Sequence, residues 1–364
     1  MLRVDLVDAP AFTPAYDHAL AAALSRAGAE VRLVTSRFAY GAPPAPDGYE
    51  VLEHFYRHAA GRPGSRLRRA WKLAEHVPDM LGYEPIARAR DLVHFQWLGI
   101  PGLDARLMPD RPIVITAHDL LPREPRPGQL RAQARALRRV DAVVVHSEYG
   151  RRALLDGVSG LRADRVHVIH HGAFTPPSIE PVLPAELEDP GSPVVLCFGL
   201  IRPYKGVATL LSAWRAVTGA ELWVVGRPMM DLDPLRAAAP PTVRFVPRFV
   251  SEAEQAAVLG RADIVVLPYE ATERYDFSGV LASALGYGKA IVASNVGGFS
   301  EVGAARLVAP GDADALGVAL TELLADAAAR KELSRAASAA AAGAYSWDAV
   351  ARRTLELYET IRRA

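Results

Sequence analysis

Arg202 and Lys205 stand in the segment VVLCFGLIRPYKG. An apolar run, Val194–Phe198, precedes them, and Val207, Leu210, Leu211 and Trp214 keep helical spacing after them. A strand that breaks at Gly199 and a helix that starts after Gly206 would hold both cations at the carboxyl edge of a sheet. Open α/β sheets bind phosphorylated ligands at that edge, and a helix N-terminus adds positive charge. Two fixed cations there suit a diphosphate; a plain surface Arg and Lys at a strand–helix turn is the alternative. Ser278-Gly279-Val280 is a second such element, after a strand ending at Pro268. Gly279 permits close backbone approach, and free N–H groups of a first turn take phosphate oxygens, although Ser278 also reads as a simple N-cap. His118 follows the apolar run Ile113–Ala117, where a neutral imidazole offers one donor and one acceptor. A structural His bonded to a backbone carbonyl is its alternative.

These residues need elements to hold them, and the chain alternates strands with helices. In the first half, Leu2–Val7, Val31–Thr35, Asp91–Gln96, Ile113–Ala117, Ala142–His146 and Val166–Ile169 read as strands. Tyr16–Ala27, Leu130–Arg139 and Glu148–Leu155 read as helices between them. The second half repeats the pattern from Val194–Phe198 to Arg306–Val308, and three helices close the chain. Such alternation predicts parallel sheets with helices on both faces. Six prolines between Pro176 and Pro193 read as a linker. The expected division is a first domain over 1–175, a linker over 176–193, a second domain over 194–345 and a closing helix within 346–364.

The bulk properties agree with this plan. The chain has 364 residues, more than one core usually serves, and half of them are hydrophobic. Cys197 is the single cysteine, so no internal disulfide forms, which fits a reducing compartment. No run approaches a membrane span and the start reads directly as a strand, so the expected location is cytoplasmic. The net charge of +1 and the lack of an aromatic-and-basic module argue against nucleic acid. The basic excess gathers at Arg62–Lys72 and Arg123–Arg139. Solvated helix faces explain such stretches; an anionic acceptor or peripheral contact with an anionic membrane is the functional reading.

Several segments then fall in a familiar order: TAHDLLP, VHSEYGRRAL, VIHHG, FGLIRPYKGVATLLSAW, ELWVVGRP, VRFVPRFVSEAEQAAVLGRADIVVLPY and SGVLASALGYGKAIVASNVGGFSEV. The series resembles the family-4 retaining glycosyltransferases, clearly from Asp91 to Glu301 and more weakly toward both ends. The resemblance implies the GT-B fold, two doubly wound Rossmann-like α/β domains facing a central cleft. It implies a nucleoside-diphosphate sugar donor held mainly by the second domain, an acceptor held mainly by the first, retention of anomeric configuration, and no metal or other cofactor. The acceptor would be a glycan, a lipid-linked saccharide or a metabolite. By the same resemblance Arg202 and Lys205 serve the leaving diphosphate, with Gly199 and Gly206 shaping their loop, and His118 faces the donor sugar. Glu301 would accept sugar hydroxyls, with a plain helix N-terminal Glu as its alternative, and the closing helix would return to the first domain.

Three departures stand out. The family's usual Arg directly after the first Gly is absent, since Leu200 stands there, and Arg202 reads as its substitute. The family's usual Glu, seven residues, Glu signature aligns here with Tyr275 and Ser283, so both carboxylates are missing. Glu270 and Glu273 lie nearby as replacements for the first. The loop after the first strand, Asp8–Tyr16, has no glycine, and Tyr16 or Asp17 would meet the acceptor instead. The missing carboxylates keep a non-catalytic nucleotide-sugar binder open as an alternative. A nucleotide-sugar 2-epimerase shares the architecture but needs paired acid–base carboxylates, and no convincing pair shows in the sequence.

Overall fold

The computed structural model describes residues 1–39, 41, 43–121, 127–271 and 276–363. The chain divides into two compact units. The first comprises Met1–Gly172, Glu273–Asp276 and Trp347–Ala364, and the second Ala173–Thr272 and Phe277–Ser346. Each unit is built on an all-parallel sheet, because its strands are short apolar runs that must be buried on both faces.

In the first unit β1 (Arg3–Asp8), β2 (Glu30–Ser36), β3 (Glu50–Phe55), β4 (Leu92–Trp97), β5 (Ile113–Thr116), β6 (Ala142–Val145) and β7 (Val166–Val168) lie in the order β3-β2-β1-β4-β5-β6-β7. The order reverses between β1 and β4, which opens a crevice at their carboxyl ends. The core around Phe55, Met80, Tyr83, Phe95 and Val143 packs helices onto this sheet. The closing helix Trp347–Arg363 belongs to the same unit and packs on the helix Pro14–Arg26. Its Tyr358 is fully buried and lies 2.6 Å from His94 Nδ1 on β4.

In the second unit β8 (Val194–Phe198), β9 (Glu221–Val225), β10 (Val243–Val246), β11 (Ile264–Leu267), β12 (Ala290–Ser294) and β13 (Arg306–Val308) form a sheet ordered β10-β9-β8-β11-β12-β13. Trp214, Leu210, Ile264 and Val292 sit in its core. Here the sequence placed every strand to within a residue. The first unit held two surprises. Strand β3, EVLEHF, is an edge strand with only Phe55 buried, so it lacks the apolar run of its neighbours. The helix Arg66–Ala87 runs through Pro78 and Pro85 and extends well past the basic stretch at its start.

Candidate functional site

In the second unit the sheet edge is assembled by backbone geometry first. Gly206 adopts φ +67°, and a Cβ there would stand 1.7 Å from the Pro268 carbonyl oxygen. Only glycine lets the loop after β8 pass that close to the end of β11. Gly199 takes φ +101°, and a Cβ on it would press on the Val280 side chain at 3.0 Å. Between the two glycines Pro203–Lys205 form one 3-10 turn, after which the helix Val207–Trp214 begins.

This turn aims Lys205 inward, so that only 9% of it is exposed. Its ammonium donates to the Tyr269 hydroxyl. That hydroxyl lies 2.9 Å from Ser278 Oγ, which accepts the Val280 N–H at 3.2 Å. The two elements that the sequence singled out separately are therefore joined by one side chain it did not single out, Tyr269. Its signal was weak: an aromatic two residues past an apolar strand. Arg202 contributes a buried Nε with no hydrogen-bond partner among the described residues. Burying such a donor unsatisfied costs about 1–3 kcal/mol, so the site favours an incoming acceptor. Phosphate oxygens are acceptors of that kind.

The remaining predicted residues of this unit occupy varied settings. Gly279 opens the helix Gly279–Gly286 with Ser278 as its cap, so the capping reading of Ser278 holds whatever else it does. An added Cβ at Gly279 would touch nothing closer than the Phe174 ring, at 4.0 Å. Ser283 is buried within that helix, where its hydroxyl donates to the Gly279 carbonyl at 3.0 Å. Glu270 accepts from the Thr209 hydroxyl at 2.8 Å, beside the first turn of the helix Val207–Trp214. Glu301 is exposed on the 3-10 turn Phe299–Val302 rather than on a helix N-terminus. Tyr275 and Glu273 lie outside the described residues. Cys197 is a core residue whose thiol burial pushes up to about 11.

In the first unit His118 follows β5 and lines a cavity of about 240 Å³. Its ring stacks on Trp97 at 5.2 Å and meets the edge of Tyr16 at 4.7 Å. Its Nδ1 lies 3.3 Å from His146 Nε2, and its Nε2 3.1 Å from the side-chain amide of Gln96. Burial, then the neighbouring imidazoles of His146, His171 and His94, push the His118 pKa well down, so the ring is neutral. Its tautomer follows from the chain of contacts. His146 Nδ1 faces the Ile169 carbonyl at 3.0 Å and must donate. Neutral His146 then accepts at Nε2, so His118 donates from Nδ1 and keeps a lone pair on Nε2. Gln96, fully buried, must therefore turn its NH₂ toward His118; amide oxygen and nitrogen are interchangeable by a flip.

Tyr16 is buried, and its ring packs against His118, His171 and Trp347. His170 and His171 spend their Nδ1 atoms on the carbonyls of His146 and Gly172. The sequence showed no carboxylate pair, but the fold makes one. Asp8 and Asp17 are both buried, and Thr13 bridges them. Burial, then the charge of Asp8, holds the Asp17 carboxyl well above its usual range. Asp8 accepts the N–H groups of Phe12 and Thr13 at 2.7 and 3.1 Å, so the pair pins the loop after β1. Asp276 also went unnoticed in the sequence; it accepts from the His146 N–H and the Ser147 hydroxyl.

Comparison with known proteins adds the family context. The Glycosyltransferase Family 4 model matches residues 16–175, and the Glycosyl transferases group 1 model matches residues 192–326. The alpha-maltose-1-phosphate synthase of Mycolicibacterium smegmatis is 28% identical over 324 residues, 76% of this chain and 80% of that one. The sucrose-phosphate synthase structure from Thermosynechococcus elongatus superposes with a TM-score of 0.76 at 21% identity, over 99% of each chain. Anabaena Alr3699/HepE, solved in complex with UDP-glucose, gives 0.74 at 21% identity, over 99% of this chain and 100% of that one.

Proposed function

This chain belongs to the family-4 glycosyltransferases of the GT-B type, and from that premise we propose that it moves a sugar from a nucleoside-diphosphate sugar to an acceptor hydroxyl with retention of configuration and without a metal. One observation carries the reading: the unpartnered, buried Arg202 Nε at the edge where Lys205, Tyr269 and Ser278 are linked. As the bond from the sugar to the diphosphate breaks, negative charge grows on the departing phosphate oxygens. Fixed cations and helix N–H groups aimed at that charge stabilise the transition state. Lys205 and Arg202 supply the charge, and the start of the helix Gly279–Gly286 supplies N–H groups. Basic groups then do the work that a metal ion would do elsewhere. The UDP-glucose bound by the Anabaena neighbour supports a uridine donor.

His118 is proposed to meet the sugar. Its neutral ring neither repels nor neutralises charge; it offers a lone pair at Nε2, and a sugar hydroxyl arriving there would exchange with the Gln96 amide. Peripheral contact with an anionic membrane is proposed for the helix Arg66–Ala87, which exposes Leu67, Trp71 and Leu73 beside Arg66 and Arg69. Among the described residues no helix is long and apolar enough to cross a membrane.

The test is a thermal-shift screen of nucleotide sugars against the parent and Gly279→Val. A ligand at 100 times its Kd stabilises by about 2.7 kcal/mol. One nucleotide sugar should raise Tm in the parent. The variant has room to fold, since nothing lies within 4.0 Å of the new Cβ except that one ring atom, yet it should lose most of the shift. A parent that responds to no nucleotide sugar, or a variant that responds equally, removes the donor site.

A further inference from the structure

A second cavity of the first unit lies beside the one that His118 lines. It has a volume of about 520 Å³ and opens at the carboxyl ends of β1, β2, β3 and β4. That size suits a small-molecule ligand. Arg37, Arg68, Arg69 and Lys72 all line it, and no Asp or Glu does. Among the described residues none of the four takes part in an ion pair. Arg68 donates one N–H to the Ala59 carbonyl at 2.7 Å, and Lys72 lies 4.7 Å over the Tyr56 ring. Burial and then the charge of Arg68 push the Lys72 pKa down, and the more distant charge of Asp8 opposes them only in part.

The wall of this cavity is built rather than incidental. Ala11 and Tyr56 are the two described non-glycine residues with positive φ, at 55° and 54°, and both line it. Such strain persists only where the surroundings enforce it, and it clusters at ligand sites. Here Asp8 pins the loop carrying Ala11. Asp79 takes the Tyr56 N–H at 2.7 Å, and a buried series from Tyr56 through His76 to Asp104 fixes the Tyr56 hydroxyl and the Ile100 N–H. Phe12 and Gly99 line this cavity and the His118 cavity alike, so the two adjoin.

We propose that this cavity binds the acceptor and that the acceptor is a phosphate ester, its phosphate held by Arg37, Arg68, Arg69 and Lys72 and the rest of the molecule resting on Phe12 and Tyr56 toward His118. A dianion is what several unpaired cations favour, and arginine forks match phosphate oxygens two at a time. The phosphate belongs either to a soluble sugar phosphate or to a lipid headgroup. The acceptor role rests on the glycosyl-transfer reading; the phosphate site does not.

The side chains of Arg37 and Arg69 are exposed and bond no described residue, so Arg37→Gln with Arg69→Gln should leave the fold intact. Titration calorimetry at low salt would compare glucose 6-phosphate, inorganic phosphate and glucose. Vesicles of phosphatidylcholine with and without phosphatidic acid form the second arm. Glucose 6-phosphate binding with no response to glucose, or capture only by phosphatidic acid, supports the site and identifies the source of the phosphate. The double variant should bind that probe at least about tenfold more weakly while binding UDP as the parent does. Equal binding by the double variant, equal response to glucose, or no response in either arm overturns the proposal. Loss of UDP binding in Lys205→Ala with phosphate binding kept separates the two sites; a parent that binds phosphate but no nucleotide sugar leaves this site standing and sinks the donor reading alone.

Discussion

The two sheets share a strand plan, yet their carboxyl edges are made in opposite ways. At the edge of the second sheet the cations come from one continuous stretch, β8 to the helix Val207–Trp214, and glycine backbone sets their positions. At the edge of the first sheet Arg37 follows β2, Tyr56 follows β3, and Arg68, Arg69 and Lys72 ride on one helix. The chemistry differs as well. All ten histidines precede Gly172 and so fall in the first unit, where His94, His118, His146 and His171 are held neutral by burial. The second unit answers charge with charge, and the first positions neutral rings beside an electropositive cavity. On the proposed reading, a local motif suffices for a diphosphate of fixed shape, and the proposed acceptor surface is gathered from distant loops, which leaves it free to vary.

The sharpest way to break this contrast is at Gly206. Gly206→Ala puts a Cβ against the Pro268 carbonyl oxygen at 1.7 Å and at a positive φ, so one loop must move. A loss of about 4 kcal/mol or more is expected in denaturant unfolding, at the upper end for single substitutions. A loss below about 1 kcal/mol would mean that glycine geometry does not govern this edge.

Lys205→Ala should lower kcat/KM by roughly 100-fold or more, about 2.7 kcal/mol, as for loss of one charge stabiliser of a transition state. Lys205→Met keeps the packing on Tyr269 and should lose as much. Near-normal turnover in either variant removes the diphosphate role.

The smallest effect concerns pH. The pKa values of His94, His146 and His171 are lowered by burial to about 3, 4 and 3, against about 6.5 unfolded. Their contribution to stability is complete above about pH 6.5 and falls as pH drops toward 4, because the unfolded chain takes up the protons first. Each contributes up to about 1.4 kcal/mol per pH unit in that window. Asp8 and Asp17, whose pKa values burial raises, work in the opposite sense and offset part of this loss. In calorimetry, acidification from pH 7 to 5 should therefore lower the transition of the first unit more than that of the second. Equal shifts would erase the electrostatic difference between the units.

The sequence by itself determined the alternation, because parallel strands buried on both faces must be continuous apolar runs, and it placed all six strands of the second sheet. It also marked Arg202, Lys205 and Ser278-Gly279-Val280 as candidates, since a strand–loop–helix arrangement is written in consecutive residues. Tertiary structure alone decided the rest. Strand β3 needed a neighbouring strand to become one, for an edge strand carries little apolar signal. Tyr269 joins Lys205 to Ser278 only because β11 lies beside β8. Asp8 and Asp17 share one buried spot because the helix Pro14–Arg26 folds back beside the end of β1. The cavity of Arg37, Arg68, Arg69 and Lys72 exists because sheet order brings the ends of four strands together, and proximity across a sheet leaves no trace in residue spacing.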